Sequence, residues 1–203
     1  MPLIVFEGLD FSGKSTLAKK LYDDLHSEGL KVSVIREPGG TPVGENLRNM
    51  LLDPHMQISD FTELFLFCAS RSELCEKVIH PKLENNEYVI MDRFFESTLA
   101  YQGYGRGMNI RLLTEIHEEI LGKFNTYPDI TYFIDVPPEI CFSRANRSID
   151  RIESQGTRFF EKVYKGYHQI AKKWYHVQTI NGDRFEDDIH EDVISNLRNL
   201  KIV

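Results

Sequence analysis

Four residues near the start of the chain have the types and spacing of a site for a phosphate chain. Gly8, Gly13, Lys14 and Ser15 fit the pattern G-x-x-x-x-G-K-[ST] within the stretch GLDFSGKST. In such a loop, main-chain N–H groups and the start of the following helix surround the phosphate oxygens. The lysine reaches the outer phosphates, and the serine hydroxyl is a ligand for Mg²⁺. A chance match is the alternative, and the strand and helix patterns on either side of the loop argue against it.

A second polar group stands at the end of an apolar run later in the chain. The run 89–91 is followed directly by Asp92 and Arg93. An aspartate in this position is the usual partner of a phosphate loop, because its carboxylate holds Mg²⁺ directly or through water. Ser15 and Asp92 are therefore the predicted metal ligands. Open α/β sheets bind ligands at this edge, so we expect Arg93 to contact one of them.

Arginines recur at the predicted ends of strands and helices. Any one of them alone is an ordinary solvated charge. A group of them has a physical use if two phosphorylated molecules must meet, since two like charges about 4 Å apart repel by roughly 4 kcal/mol at an effective dielectric constant of about 20. Guanidinium groups offset that repulsion and hold phosphates in a bidentate geometry. The arginines at such positions are Arg36, Arg48, Arg71, Arg93, Arg106, Arg144, Arg147, Arg151 and Arg158.

These residues must be positioned by a sheet, because strand and helix patterns alternate along the chain. Such alternation predicts a parallel sheet covered by helices. We predict an α/β three-layer sandwich with a five-stranded parallel sheet flanked by helices, as one domain over residues 1–203 with a lid segment at about 144–158. The strands are predicted at 3–6, 31–35, 88–91, 130–134 and 177–180.

Helical periodicity is predicted between the strands. A further helix is predicted directly after the strand at 88–91, and a glycine-rich loop is expected after that helix, at 103–107. The polar segment 150–157 is expected to be mobile. The predicted helices cover 16–25, 44–52, 62–83, 110–121, 138–147, 158–174 and a last stretch that ends at residue 200.

The composition is that of an ordinary soluble globular protein, with 41% hydrophobic and 27% charged residues. The net charge of −7 argues against a nucleic acid polymer as partner. No apolar stretch approaches the roughly 20 residues of a membrane span, and the start shows no signal peptide. The three cysteines form no C-x-x-C pair and suit a reducing compartment. We therefore expect a cytoplasmic enzyme or switch that contacts no membrane.

Seven stretches, spread over nearly the whole chain, carry a family resemblance. The phosphate loop alone is shared by many nucleotide-hydrolysing proteins, whereas REPGGT together with AYQG is much narrower. On these residues the chain resembles the thymidylate kinases, in the nucleoside-monophosphate kinase group of phosphate-loop proteins. The stretches are FEGLDFSGKST (6–16), REPGGTPVGENLR (36–48), LFCASR (66–71), MDRF (91–94), STLAYQGYGRG (97–107), DRIE (150–153) and KGY (165–167).

The resemblance implies a reaction in which the γ-phosphoryl group of ATP passes to dTMP, giving dTDP and ADP, with Mg²⁺ as the cofactor. The acceptor is a phosphate monoester with a second pKa of about 6, so it is mostly dianionic at neutral pH and needs no general base. Catalysis would rest on positioning and charge stabilisation. The family also implies a homodimer formed through helices beside the sheet, and by analogy the helix at 62–83 is a candidate for that contact.

On the donor side, the resemblance implies that the phosphate loop and Arg144 bind ATP. Position 11 is a phenylalanine here, whereas one branch of the family has an arginine that supports the transferring phosphate. The transition-state arginine is therefore assigned to the lid, with Arg151 favoured and Arg147 second. The implied loop contacts to ATP are Gly8, Leu9, Asp10, Phe11, Ser12, Gly13, Lys14, Ser15 and Thr16, and the implied catalytic residues are Lys14, Glu37, Arg93, Arg147 and Arg151.

On the acceptor side, the resemblance implies contacts to each part of dTMP. Asp10 would bind near the 3′-hydroxyl, and three arginines would hold the phosphate. A phenyl ring would stack on thymine, an arginine four residues later would reach its carbonyl, and a tyrosine would crowd a 2′-hydroxyl. The implied acceptor residues are Asp10, Arg36, Arg48, Phe67, Arg71, Arg93, Ser97, Tyr101, Gln102 and Tyr167. Position 94 is a phenylalanine where the family often has tyrosine or histidine.

Two other functions stay open at this stage. One is a related kinase that prefers dUMP or another deoxynucleoside monophosphate, because one methyl group in an apolar pocket is worth only about 1–3 kcal/mol. The other is a non-catalytic protein that binds nucleotides through the same loop. Such a protein has no need for Arg48, Phe67, Arg71 and Gln102 together.

Overall fold

Five parallel strands form one sheet in the order β2-β3-β1-β4-β5, which confirms the predicted α/β fold. The computed structural model describes residues 1–145 and 150–203. The first strand lies at the centre, and its residues are fully buried, as expected for a strand covered on both faces. The strands are β1 (Leu3–Glu7), β2 (Val32–Arg36), β3 (Tyr88–Asp92), β4 (Ile130–Asp135) and β5 (Val177–Asn181).

Helices fill the connections between the strands, near the positions that the sequence predicts. The long helix predicted at 62–83 is present as two α-helices joined by a π-helical turn at Cys75–Ile79. The helix predicted at 138–147 is shorter and ends at Ser143. The helices are α1 (Lys14–Ser27), α2 (Pro42–Leu52), α3 (Asp60–Leu74), α4 (His80–Glu84), α5 (Phe95–Thr98), α6 (Ile110–Phe124), α7 (Pro138–Ser143), α8 (Thr157–Lys173) and α9 (Glu186–Asn199).

The prediction of a loop at 103–107 is wrong over its first half. α5 continues into a π-helical segment, Leu99–Gly105, which packs against α8. A Cβ atom on Gly105 would lie 2.6 Å from the Phe159 ring, and one on Gly166 would lie 2.6 Å from Tyr104 Cβ. The glycines therefore allow two helical segments to approach closely, instead of breaking the chain.

The polar segment 150–157 is also packed more closely than the sequence predicts. Its first residues form a turn that leads into a 3₁₀ helix at Glu153–Gln155. Arg151 and Glu153 are buried, and the mobility expected for this segment stays a prediction.

The register of the sheet brings the ends of β1, β2 and β3, where predicted site residues lie, to one edge. Asp92 at the end of β3 pairs with Phe6 of β1 on one side and with Arg36 of β2 on the other. The loops that follow β1, β2 and β3 therefore meet at the carboxyl edge of the sheet, where open parallel sheets bind their ligands.

Candidate active site

Three residues of the loop between β1 and α1 have positive φ angles. Gly8 has a φ of 144°, and a Cβ atom there would lie 2.8 Å from the carbonyl oxygen of Ile134. Gly13, directly before α1, has a φ of 94°, and Phe11 has a φ of 64°. The first N–H groups of a helix have no partner within it, so the start of α1 suits an anion.

The side chain of Lys14 folds back over this loop. Its Nζ donates a hydrogen bond to the carbonyl oxygen of Leu9 at 3.1 Å and lies 3.8 Å from Asp10 Oδ1. Burial lowers the pKa of Lys14, and repulsion by Arg93 adds to this effect. A phosphate bound beside Lys14 would oppose both effects and stabilise the charged ammonium.

Ser15 and Asp92 meet as the sequence predicts. The hydroxyl of Ser15 donates to Asp92 Oδ2 at 2.5 Å, which joins the start of α1 to the end of β3. A hydroxyl and a carboxylate are the hard oxygen ligands that Mg²⁺ prefers, and Mg²⁺ sites take their other ligands from phosphate and water. The two side chains therefore fit the predicted magnesium site.

Arg93 is held from several directions. It has a φ of 71°, in the left-handed region that is uncommon for residues other than glycine. Nη1 donates to the carbonyl oxygen of Gly8 at 2.8 Å, to Ser97 Oγ at 3.1 Å and to the Tyr167 hydroxyl at 3.2 Å. Nη2 donates to Asp10 Oδ1 at 2.7 Å. These contacts fix the guanidinium between the phosphate loop and the helices that follow β3.

Asp10 is held in its ionised form by the same arginine. Burial alone would raise the pKa of Asp10, but the charges of Arg93 and Lys14 hold it well below its usual range. The Tyr101 hydroxyl donates to Asp10 Oδ2 at 3.1 Å. The Asp10 carboxylate can therefore accept a hydrogen bond at neutral pH, which suits a group that binds a sugar hydroxyl.

Glu37 and Arg71 form a buried ion pair, with each side chain only 1% exposed. Arg71 donates from Nε and Nη2 to Glu37 Oε2 at 2.9 and 2.7 Å, from Nη1 to Thr98 Oγ1 at 2.8 Å and from Nη2 to the Phe94 carbonyl oxygen at 3.0 Å. Burial raises the pKa of Glu37 even though Arg71 opposes the shift. Among the described residues, Glu37 Oε1 has no hydrogen-bond partner, so it remains an acceptor for a ligand or water.

An open cavity joins these groups at the carboxyl edge of the sheet. It brings together predicted donor-side residues and predicted acceptor-side residues. Tyr167 is not part of the lining and contacts Arg93 from behind. The site residues in the lining are Asp10, Lys14, Ser15, Arg36, Glu37, Arg48, Phe67, Arg71, Asp92, Arg93, Ser97, Tyr101 and Gln102.

The two other predicted phosphate arginines, Arg36 and Arg48, also line the cavity. Arg48 Nη1 donates to the carbonyl oxygen of Pro38 at 2.8 Å. Arg36 is 58% exposed and its Nη2 lies 3.2 Å from Glu45 Oε2. The Arg36 side chain is more exposed to solvent than the Arg93 side chain.

The favoured lid arginine, Arg151, points away from the cavity. Its Nε donates to the carbonyl oxygen of Leu51 at 2.7 Å, and its Nη2 donates to Glu63 Oε2 at 2.6 Å. Its neighbours Asp150 and Ile152 line the cavity, whereas Arg151 does not. A role for Arg151 in the transition state requires its guanidinium to leave Glu63 when nucleotides bind.

The other two lid arginines are placed differently. Arg144 Nη2 donates to Asp183 Oδ1 at 3.1 Å, which puts it beside the loop after β5 rather than beside the phosphate loop. Arg147 lies outside the described residues. The predicted ATP contact of Arg144 and the predicted transition-state role of Arg147 stay predictions.

Comparison with known proteins identifies the family. A family model described as Thymidylate kinase matches residues 6–193. The chain belongs to the thymidylate kinase family. Curated thymidylate kinases from Chlorobaculum parvum and Thermosipho africanus are 42% and 40% identical, over 98% and 95% of this chain and 97% and 95% of theirs. The crystal structure of thymidylate kinase from Ehrlichia chaffeensis is 35% identical, with a TM-score of 0.80 over 97% of this chain and 98% of that one.

This family membership confirms the resemblance drawn from the sequence motifs, and with it the class of the protein as a kinase. The thymidylate kinase fold agrees with the parallel five-stranded sheet described above. Within residues 1–145 and 150–203, no helix combines the length and the apolar character needed to cross a membrane.

Three buried residues that support the site, Glu7, Glu63 and His117, are not predicted from the sequence. Glu7 contacts the helix that follows Arg93, and His117 contacts Arg71. Glu63 accepts hydrogen bonds from Gln102, Arg106 and Arg151. Glu63 had a detectable signal, because Glu63, Phe67 and Arg71 are each four residues apart on one face of a helix.

His117 should make folding stability depend on pH. Its Nε2 faces Arg71 Nη1, and its Nδ1 lies 2.6 Å from the carbonyl oxygen of Leu113. Because arginine can only donate, Nε2 must accept, and the ring is neutral. Burial, together with Arg71, lowers the pKa of His117 from 6.5 to about 3. Unfolding therefore takes up a proton below pH 6.5, and stability falls as the pH decreases from there toward 3.

We expect wild-type protein to lose about 1.4 kcal/mol of unfolding free energy between pH 7.5 and 5.5, relative to a His117→Gln variant over the same range. Glutamine can accept from Arg71 but does not titrate. Urea unfolding at the two pH values measures both proteins. Parallel pH dependences would show that the pKa of His117 is the same in the folded and unfolded states.

Proposed function

We propose that this chain transfers the γ-phosphoryl group of ATP to dTMP and releases dTDP and ADP. The observation that carries the proposal is that Lys14 and Ser15 line the same cavity as Arg93 and Phe67. A phosphate loop on one side and an arginine with an aromatic ring on the other support the binding of two nucleotides with their phosphates together. Positioning and charge stabilisation then supply the catalysis.

On the donor side, the start of α1 and Lys14 bind the ATP phosphates, and Ser15 and Asp92 hold Mg²⁺ with its phosphate and water ligands. When bound, Mg²⁺ would neutralise negative charge on the phosphate oxygens. The Ser15–Asp92 hydrogen bond supports this assignment, since it brings both oxygens to the same point beside the loop.

On the acceptor side, Arg93 binds the dTMP phosphate and Phe67 stacks on thymine. Asp10 accepts a hydrogen bond from the 3′-hydroxyl, and the Tyr101 side chain next to it crowds a 2′-hydroxyl, which favours deoxyribose. Gln102 donates from Nε2 to Glu63 at 2.8 Å, so its carbonyl oxygen is the group left to accept from the N3–H of thymine. Ionised Asp10 and lining residues Phe67, Tyr101 and Gln102 support these roles.

A coupled assay of ADP release tests the proposal with Mg-ATP and a panel of dTMP, dUMP, dCMP and dGMP. We expect the highest kcat/KM with dTMP. A higher value with dUMP or another acceptor would identify the related kinase instead. ADP release that does not depend on any acceptor would end the kinase proposal for this cavity.

We further propose that the protein works in the cytoplasm as a homodimer. Its three cysteines are buried free thiols, which supports a reducing compartment. Phe61 and Phe65 on α3 are each 58% exposed, and their rings lie 6.4 Å apart. Met50 of α2 and Leu112 of α6 are also exposed. Exposed aromatic side chains one helical turn apart support packing of a second copy on α3.

Replacing Phe61 and Phe65 together by aspartate should raise the dimer dissociation constant by at least about 100-fold, because each phenyl ring contributes about 1.5–3 kcal/mol when buried. Analytical ultracentrifugation measures the change. Phe185→Asp is the matched control, since Phe185 is 83% exposed and lies before α9. A dimer that resists the double substitution, or that responds equally to Phe185→Asp, would place the interface elsewhere.

A further inference from the structure

Glu7, the last residue of β1, accepts four hydrogen bonds although it is fully buried. Its Oε1 accepts from the backbone N–H groups of Phe94 and Ser97 at 2.7 and 3.0 Å. Its Oε2 accepts from Ser97 Oγ at 2.6 Å and from the Tyr167 hydroxyl at 2.8 Å. Four donors around one side chain match the acceptor capacity of an ionised carboxylate.

These contacts determine which way two hydroxyl groups point. Both hydroxyl oxygens accept from Arg93 Nη1, at 3.1 Å for Ser97 Oγ and 3.2 Å for Tyr167. Their own protons therefore point away from Arg93, toward Glu7 or, across the 3.0 Å between the two hydroxyl oxygens, toward each other. Arginine can only donate, so the direction of both bonds is the one that Arg93 requires.

We propose that Glu7 is a positioning residue for the acceptor phosphate, acting through the hydroxyls of Ser97 and Tyr167 to hold Arg93 in its phosphate-binding orientation. This inference rests on the proposed function, in which Arg93 binds the dTMP phosphate. Glu7 Oε2 lies 3.9 Å from Arg93 Nη1, so the carboxylate also attracts the guanidinium directly. Glu7 itself is absent from the cavity lining and touches no nucleotide in this arrangement.

A glutamine at position 7 would have almost the same shape but the opposite polarity at one atom. Its carbonyl oxygen can still accept from the N–H groups of Phe94 and Ser97. Its NH₂ group would then face the Ser97 and Tyr167 hydroxyls and donate to them. One hydroxyl proton could still bridge the two oxygens, and the other would turn toward Arg93. Two donors would face each other, and the orientation of Arg93 would be lost while the packing around position 7 stays.

Comparing dTMP with thymidine, which lacks the phosphate, isolates the predicted effect. Titration calorimetry of both ligands should show that wild-type protein binds dTMP at least about 30-fold more tightly than thymidine. In Glu7→Gln we expect that ratio to fall about tenfold, with the thymidine affinity changed less than about twofold. An unchanged ratio, or equal weakening of both ligands, would overturn the proposal.

Glu96→Gln is the matched control for removing a buried carboxylate. Glu96 is also fully buried, but it accepts from Thr131 Oγ1 at 2.7 Å and has no contact with Arg93 among the described residues. In Glu96→Gln, the ratio of dTMP affinity to thymidine affinity should stay within about twofold of the wild-type ratio. A fall of this ratio as large as that in Glu7→Gln would overturn the proposal. If wild-type protein itself fails to prefer dTMP over thymidine, the proposed place of the phosphate is wrong, and the inference fails with it.

Tyr167→Phe provides a second variant that changes no charge and deletes only one of the two hydroxyls. We expect a smaller fall in the dTMP-to-thymidine ratio, of about threefold. An unchanged ratio would contradict a path from Glu7 through Tyr167.

A pH profile distinguishes an ionised carboxylate from a merely structural side chain. Burial raises the pKa of Glu7 to about 7, with repulsion by Glu96 adding to the shift and Arg93 opposing it. The ratio of wild-type to Glu7→Gln kcat/KM for dTMP should therefore fall about tenfold from pH 8.5 to pH 6. Titration of dTMP cancels in this ratio, and a constant ratio would overturn the proposal. The charged and titratable groups that face Glu7 are Glu96, Arg93, Tyr167, Lys14 and Tyr101.

Discussion

Replacement of Arg93 by alanine should lower kcat/KM for dTMP by at least about 1,000-fold, while KM for ATP changes less than about threefold. Removing one partner of a desolvated, charge-assisted contact costs about 2–5 kcal/mol, and about 4 kcal/mol corresponds to a factor of 1,000 in rate. Arg93 is the most enclosed of the three predicted phosphate arginines, with a side chain 14% exposed against 58% for Arg36. Steady-state kinetics with each nucleotide varied in turn measures the effect.

Arg93→Lys is the control for charge. Lysine keeps the positive charge near Asp10 but lacks the planar fork that binds two phosphate oxygens at once. We expect a loss of kcat/KM for dTMP that lies between those of wild type and alanine. Equal losses for dTMP and ATP in Arg93→Ala would contradict the placement of Arg93 on the acceptor phosphate.

Glu63→Ala should lower the free energy of unfolding by about 3–5 kcal/mol, because it leaves buried cations without their partner. Glu63 is fully buried and accepts from Arg106 Nε and Nη2 at 2.7 and 2.8 Å, from Arg151 Nη2 at 2.6 Å and from Gln102 Nε2 at 2.8 Å. Burial alone would raise the pKa of Glu63, but these hydrogen bonds lower it below its ordinary value. Urea unfolding at neutral pH measures the loss.

Asp60→Ala is the matched control on the same helix. Asp60 Oδ1 lies 3.4 Å from Arg106 Nε, but its side chain is 54% exposed. Water screens such a pair, so we expect a loss of less than about 1 kcal/mol. If Asp60→Ala and Glu63→Ala destabilise the protein equally, the burial of Glu63 does not control the strength of this cluster.

Local sequence patterns are sufficient to predict the sheet and the phosphate loop. All five strands are predicted. The inner strands β1, β3 and β4 are largely buried on both faces and appear as nearly continuous apolar runs, whereas the edge strands β2 and β5 are partly exposed and include polar residues. The loop at 8–16 could be recognised for a similar reason, since a phosphate chain requires glycine at positions of positive φ and a lysine at the start of the next helix. These signals are local, so no knowledge of distant contacts is needed to detect them.

Most of the cavity lining was also predicted from the sequence, but the contacts of each side chain were not. Arg71 was expected to face thymine, and the structure directs its donors to Glu37, Thr98 and Phe94 while it still lines the cavity. The base contact stays a prediction. A motif specifies which residue type stands at a position, whereas the partner that a guanidinium selects depends on which acceptors the fold brings within reach.

The packing around Arg151 and around the glycines at 103–107 depends on contacts between residues far apart in the chain. Arginine is rarely buried unless it is paired, and Arg151 is buried against Glu63, 88 residues earlier in the chain. Gly105 lies where a loop is predicted, yet its missing side chain allows α8 to pack closely on a helical segment. In both cases a contact between residues far apart in the chain overrides the local preference, and a single sequence carries no direct record of such contacts.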